Sequence, residues 1–157
     1  MATRSGSAAA DQVRTRPLVS TVALAVAVVF LLVGILGFIP GVTTNYSDMQ
    51  FAGHESEAKL LGVFQVSILH NIVHLLFGLA GLALARTVSG ARLYLIGGGA
   101  VYAVLWLYGL VIDHGSGANF VPFNTADNWL HLGLAIGMIG LGLLLSPRRG
   151  SRGGSPT

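Results

Sequence analysis

Residues Val19–Ile39 read VSTVALAVAVVFLLVGILGFI, twenty-one positions without a charge, followed at once by Pro40-Gly41. An α-helix needs about 20 apolar residues to cross roughly 30 Å of hydrocarbon, and a Pro-Gly pair does not continue it. The run is too long for a signal-peptide core and no small-residue cleavage pattern follows it, so it is read as a retained first span. Three more apolar blocks lie outward from it: about 60–85, 93–112 and 128–145. The composition agrees, with 53% hydrophobic and only 10% charged residues among 157 and a mean hydropathy of +0.72. Soluble domains carry about 25% charge, which excludes a water-soluble globule. The expected fold is an all-α membrane protein, a four-transmembrane-helix bundle over residues 17–146. The Ser-, Gly- and Arg-rich tails 1–16 and 147–157 are expected to be disordered. Zero cysteines exclude disulfides, thiolate metal sites and cysteine nucleophiles.

Charge orients the spans, because Lys and Arg gather in cytoplasmic loops. Arg4, Arg14 and Arg16 precede span one, Arg86 and Arg92 separate spans two and three, and Arg148, Arg149 and Arg152 follow span four. Lys59 falls on the other side with Asp48, Glu55, Glu57, Asp113 and Asp127. Both termini are therefore expected in the cytoplasm of a bacterial cell, with the chain multi-pass in the inner membrane. The arginines have sufficient work in orienting spans and meeting lipid headgroups, and no aromatic residues interleave them as a stacking platform would require, so no nucleic-acid partner is expected. Tyr46, Trp106, Tyr108 and Trp129 near the outer helix ends read as interfacial anchors.

Spans two and four share a short pattern. Asn71-Ile-Val-His74-Leu75 matches Asn128-Trp-Leu-His131-Leu132, each followed by a Gly- and Leu-rich half-helix. Both spans run in the same direction, which suggests two parallel helical hairpins related by a pseudo-two-fold axis along the membrane normal. On span two, Ser67, His70, Asn71, His74, Gly78, Gly81 and Ala85 recur at helical spacing on one face, which must meet protein because polar groups left facing lipid would be unsatisfied. Gly133 and Gly137 form a GxxxG contact pattern on span four. Gly78, Gly81, Gly133 and Gly137 are the helix-packing candidates, and a second packing face on span four leaves homo-oligomerisation or docking on a larger membrane complex open. Gly97-Gly98-Gly99 lies inside a span and is no phosphate cradle.

The sequence resembles a family of small bacterial four-span membrane proteins known as domain of unknown function 4383. The likeness rests on His70-Asn71-Ile-Val-His74-Leu-Leu-Phe-Gly78-Leu-Ala-Gly81-Leu and on Asp127-Asn-Trp-Leu-His131-Leu-Gly133, and it covers about residues 17–146. The resemblance implies a four-helix fold and no established activity.

Intramembrane ionisable residues are functional-site candidates by default. Here these are His70, His74 and His131, beside Asn71 and Asn128, with Asp113, His114 and Asp127 at the outer mouth. In the leading reading the imidazoles stay neutral and hydrogen-bond across the bundle. No cofactor is assigned and no residue is named catalytic. The alternatives are a haem between His74 and His131, a metal ion held by His70 and His74 with His131, proton transfer, and quinone or lipid binding. The outer segments 40–59 and 113–127 are long enough to cap the histidines, with Asn119, Phe120, Phe123 and Trp129 lining the cap. The expected function is that of a structural or accessory component of the membrane, the rival being histidine-dependent redox or proton-transfer chemistry.

Overall fold

The computed structural model describes residues 17–145. The two tails read as disordered lie outside the described residues. Four helices carry the chain: α1 (Leu18–Leu36), α2 (Ile68–Leu84), α3 (Val88–Val111) and α4 (Thr125–Leu144). α1, α3 and α4 are long and apolar enough to cross a membrane, and α2 is a shorter apolar helix of 17 residues, about 26 Å at 1.5 Å per residue. α1 packs chiefly on α2 and α3 chiefly on α4. The shared core is built from Val19, Ala23, Ala27 and Phe30 of α1, Tyr94, Leu95 and Tyr102 of α3, and Ala135 and Met138 of α4. Small side chains on α1 let its neighbours approach closely, and the aromatic rings fill what remains.

The second apolar block is not one helix. Residues 60–67, expected inside span two, leave the helix and join an antiparallel sheet of β1 (Thr43–Thr44), β2 (Lys59–Leu60) and β3 (Phe64–Gln65), in that order, with Thr43 opposite Leu60 and Leu60 opposite Phe64. The break is local chemistry. Leu61 and Gly62 both take positive φ, 54° and 73°, which turns β2 back into β3 and is incompatible with a continuing right-handed helix. Ser67 then starts α2, its hydroxyl accepting the His70 N–H at 3.1 Å. Apolar composition alone does not distinguish a short buried strand from a helix turn.

The sheet is fastened to the helices by side chains. Thr43 Oγ1 donates to the carbonyls of Leu36 and Gly37 at the end of α1, groups that have no partner within the helix. Ser56 Oγ donates to Val66 O at 2.6 Å, and Gln65 Nε2 donates to the His54 and Ser56 carbonyls. Beneath the sheet, Ala58, Leu60 and Val66 form a second small core with Val33 and Leu36 of α1. Asn119 organises the loop between α3 and α4: its Nδ2 donates to His114 O and Phe123 O while its Oδ1 accepts Phe123 N–H. Of the side chains expected to line the cap, Asn119 and Phe123 are buried, whereas Phe120 and Trp129 stay exposed.

α4 starts three residues earlier than its apolar block, on a capping box in which Asn124 accepts the Asp127 N–H and Asp127 accepts the Asn124 N–H. Asn124 Nδ2 also donates to Val63 O in the β2–β3 turn. Asn124→Ala removes both bonds, so the protein in detergent is expected to lose about 1–2 kcal/mol of stability, read as a lower midpoint in a thermal or denaturant melt, while Thr125→Ala, exposed at the first helical position, stays near wild type.

Candidate functional site

The polar stripe of α2 faces inward. His70, Asn71, Gly78 and Gly81 are buried and His74 is partly buried, whereas Ile72, Val73, Leu76 and Leu79 on the other side are exposed. On α4 the buried face holds Asp127, Asn128, His131, Ala135, Met138 and Gly142. The two faces meet at the end of the bundle that carries the sheet, around a cavity of about 110 Å³, where His70 and His74 of α2, Asp127 and His131 of α4, and Val33 of α1 line the wall and the β2–β3 hairpin forms the roof.

The histidines are held by one another and by aromatic rings. His70 Nε2 and His74 Nε2 lie 3.2 Å apart, one donating and one accepting. His74 meets Phe30 edge-on at 5.6 Å between centroids, and His131 packs on Tyr102 at 5.2 Å and on Phe123 at 4.9 Å. Phe30 and Tyr102 stack at 5.5 Å, which links the two histidine environments through the core. Nδ1 of His74 and of His131 has no hydrogen-bond partner among the described residues. Asp127 is almost completely buried, and its Oδ2 accepts two backbone N–H groups, Gln65 at 3.0 Å and Asn124 at 3.1 Å. Among the described residues no three His, Asp or Glu side chains are grouped to hold a metal ion.

Asp113 and His114, read with Asp127 as outer-mouth groups, do not join it. Asp113 is exposed and turns its Oδ1 to Gly115 N–H, and His114 Nε2 bonds Gly109 O at 2.8 Å at the end of α3. Residues that sequence reasoning passed over complete the site: Gln65, Leu60, Phe64 and Val66 from the hairpin, and Phe30 and Tyr102 from the core. The Leu61-Gly62 turn was the available signal for the hairpin. Nothing in the sequence pairs Phe30 with Tyr102.

Over residues 20–144 the chain matches the family model described as Domain of unknown function (DUF4383). The chain belongs to this family. No curated protein and no solved structure matches it.

In this DUF4383 member the two asparagines of the repeated pattern occupy like positions. A Cβ on Gly37, just past α1, would collide with the Asn71 carboxamide, and a Cβ on Gly109, near the end of α3, would collide with that of Asn128. Each helix pair, α1 with α2 and α3 with α4, therefore closes at the end bearing its long loop with an asparagine seated on a glycine. Oδ1 of both asparagines is buried without a conventional partner, and the bare glycine Cα–H beside each carboxamide is the weak donor such an oxygen can use. Gly78 and Gly81 are equally constrained, by Leu31 and Ala27 and by Tyr94 and Ala27. Gly133 and Gly137 are not. Both are exposed, and an added Cβ would meet no described atom within 4 Å. Their expected helix contact is not made inside the bundle because α4 turns its Asn128–His131–Ala135 face, not this one, to the other helices.

Gly37→Ala and Gly109→Ala are each expected to destabilise the folded protein by about 1–3 kcal/mol through steric overlap, whereas Gly137→Ala should match wild type or gain about 0.5–1 kcal/mol from helix propensity. Thermal melts of the three variants in one detergent separate these outcomes.

Proposed function

We propose that this protein is a four-span integral protein of a bacterial inner membrane, both termini cytoplasmic, whose bundle serves as a structural or accessory component of the membrane or of a larger complex. The observation that carries the reading is the division of charge between helix ends. Arg86 lies in the short turn between α2 and α3 and Arg92 near the start of α3, while Asp48, Glu55, Glu57, Lys59, Asp113 and Asp127 lie at or beyond the opposite ends of the helices. An excess of Lys and Arg on the inner side is what insertion selects. The 26 Å of α2 approach the hydrocarbon thickness, and the sheet at its outer end then sits at headgroup level, where strands and turns have water available to them.

The accessory role is supported by how the polar groups are employed. Asp127, Asn124, Asn119, Thr43 and Ser56 all hydrogen-bond backbone groups of the outer loops and helix ends. These bonds hold shape. The matching of Asn71 on Gly37 with Asn128 on Gly109 supports two parallel hairpins related by a pseudo-two-fold axis. The exposed Gly133–Gly137 side of α4 is the face offered to a second copy or to a neighbouring membrane protein.

Placement is tested by single cysteines in intact cells. Cysteines at Ser47 and Gly117, both exposed on the outer side, are expected to react with a membrane-impermeant thiol reagent, and one at Ser89 is expected to react only after permeabilisation. Labelling of Ser89→Cys without permeabilisation would overturn the four-span assignment. If the imidazoles serve packing, His74→Gln and His131→Asn should each cost about 0.5–1.5 kcal/mol, the first through the His70 hydrogen bond within α2 and the second through the ring contacts with Tyr102 and Phe123, and both variants should remain monodisperse on size exclusion.

A further inference from the structure

Two loops, 37–67 and 112–124, cap the end of the bundle that carries the sheet. Both bury apolar side chains, yet Phe51 and Leu61 of the first are each 64% exposed and Phe120 of the second is 56% exposed. A single exposed apolar residue on a loop needs no explanation. The level at which these three sit does.

None of them stands beyond the helix ends. The Phe51 carbonyl accepts the Leu69 N–H at 2.8 Å in the first turn of α2. Leu61 shares a cavity wall with Leu130 and Leu134 of α4. Phe120 and Val121 fold back along α3, beside Val104, Leu105 and Tyr108, and the Tyr108 hydroxyl holds the loop there by donating to Ala118 O at 2.6 Å. At 1.5 Å per residue, Leu69 is about 22 Å from Leu84 at the other end of α2, and Leu130 about 21 Å from Leu144 at the other end of α4. Val104 and Tyr108 are likewise about 18 and 24 Å from Arg92, near the start of α3. The hydrocarbon layer is about 30 Å thick. With Leu84, Arg92 and Leu144 at its inner boundary, three separate helices put Phe51, Leu61 and Phe120 at one level, short of the outer boundary. Helix tilt shortens each distance along the membrane normal and sets that level deeper.

Loop backbone is tolerated at such depth only where protein supplies its hydrogen bonds. The rim supplies them. The Gln50 and Phe51 carbonyls take the Ile68 and Leu69 N–H groups, which have no acceptor within α2. The Leu61 N–H donates to Val42 O at 2.9 Å, and the Gly53 N–H donates to Phe120 O at 2.7 Å, tying one loop to the other. The Asn119 carboxamide takes both backbone groups of Phe123 and the His114 carbonyl.

We propose that Phe51, Leu61 and Phe120 form a collar inserted among the acyl chains of the outer leaflet, so that the cap is sunk into the bilayer and not raised above it. The collar rests on the membrane placement proposed above and goes beyond it: the sheet lies at headgroup level, and the apolar rim of both loops lies one layer lower, in hydrocarbon.

The chain has no cysteine, so single substitutions can carry a nitroxide in the full-length protein reconstituted in vesicles of phosphatidylcholine and phosphatidylglycerol. Phe51→Cys, Leu61→Cys and Phe120→Cys are compared with Val101→Cys, exposed midway along α3, and with Ser47→Cys and Glu57→Cys, exposed on the first loop. Collision of each label is measured with oxygen, which concentrates in hydrocarbon, and with nickel ethylenediaminediacetate, which stays in water. The ratio of oxygen to nickel collisions at 51, 61 and 120 is expected to exceed that at 47 and 57 by roughly threefold or more, approaching that at 101, as hydrocarbon depth requires. Nickel-dominated collision at any of the three, with Val101→Cys still in hydrocarbon, overturns the collar and leaves the spans standing. Weak collision with both reagents overturns it too, since protein then covers the rim. Nickel-dominated collision at Val101→Cys instead removes the membrane placement itself, and the collar with it.

Discussion

The Asp127 carboxylate joins the two halves of this molecule. One oxygen accepts the Asn124 N–H, completing the start of α4, and the Gln65 N–H, occupying a donor on the free edge of β3. A buried carboxylate is costly to desolvate unless its lone pairs are used. Two backbone N–H groups, one from the cap and one from the helix start, offset that cost only when the hairpin sits directly over α4. Together with the Asn124–Val63 bond, this pair of hydrogen bonds holds the β2–β3 hairpin over the start of α4.

The same logic governs the other polar side chains. Thr43 uses the last carbonyls of α1, Asn119 closes its own loop, and Asn71 and Asn128 lie against glycines where nothing larger would fit. In an apolar environment a polar group without a partner costs more than a hydrogen bond returns, so each of these residues fixes a particular neighbour. Leucines and valines fill the remaining surface without selecting a partner, which is why 53% apolar content produces span-length helices while a few polar residues decide their arrangement.

Gly133 and Gly137 show the limit of pattern reading. GxxxG marks a face where a backbone can come close, and the face exists, but in the bundle α4 turns its Asn128–His131–Ala135 side inward. On α2, by contrast, the small residues Gly78 and Gly81 share a side with His70 and Asn71, and that side is buried. Polar and small residues on the same face leave one way to pack, whereas on α4 they point in nearly opposite directions and leave two.

The sequence by itself located four apolar helices, because apolar composition is a property of a contiguous segment and needs no partner, but it misplaced their ends: α2 gives up residues 60–67 to the sheet and α3 begins at Val88, before Arg92. Membership of the DUF4383 family, matched over residues 20–144, was legible for the same reason in the motifs around His74 and His131. Also readable were the inner face of α2, from a period of 3.6, and the Asn-His repeat. Only the tertiary structure decided that residues 60–67 form a hairpin, that Asp127 is sealed beneath it while Asp113 and His114 stay apart, and that Phe30 and Tyr102 bridge the histidines. Those outcomes depend on contacts between residues far apart in the chain, Gln65 with Asp127 and Val63 with Asn124 among them, and no local pattern encodes which donor a buried acceptor will meet.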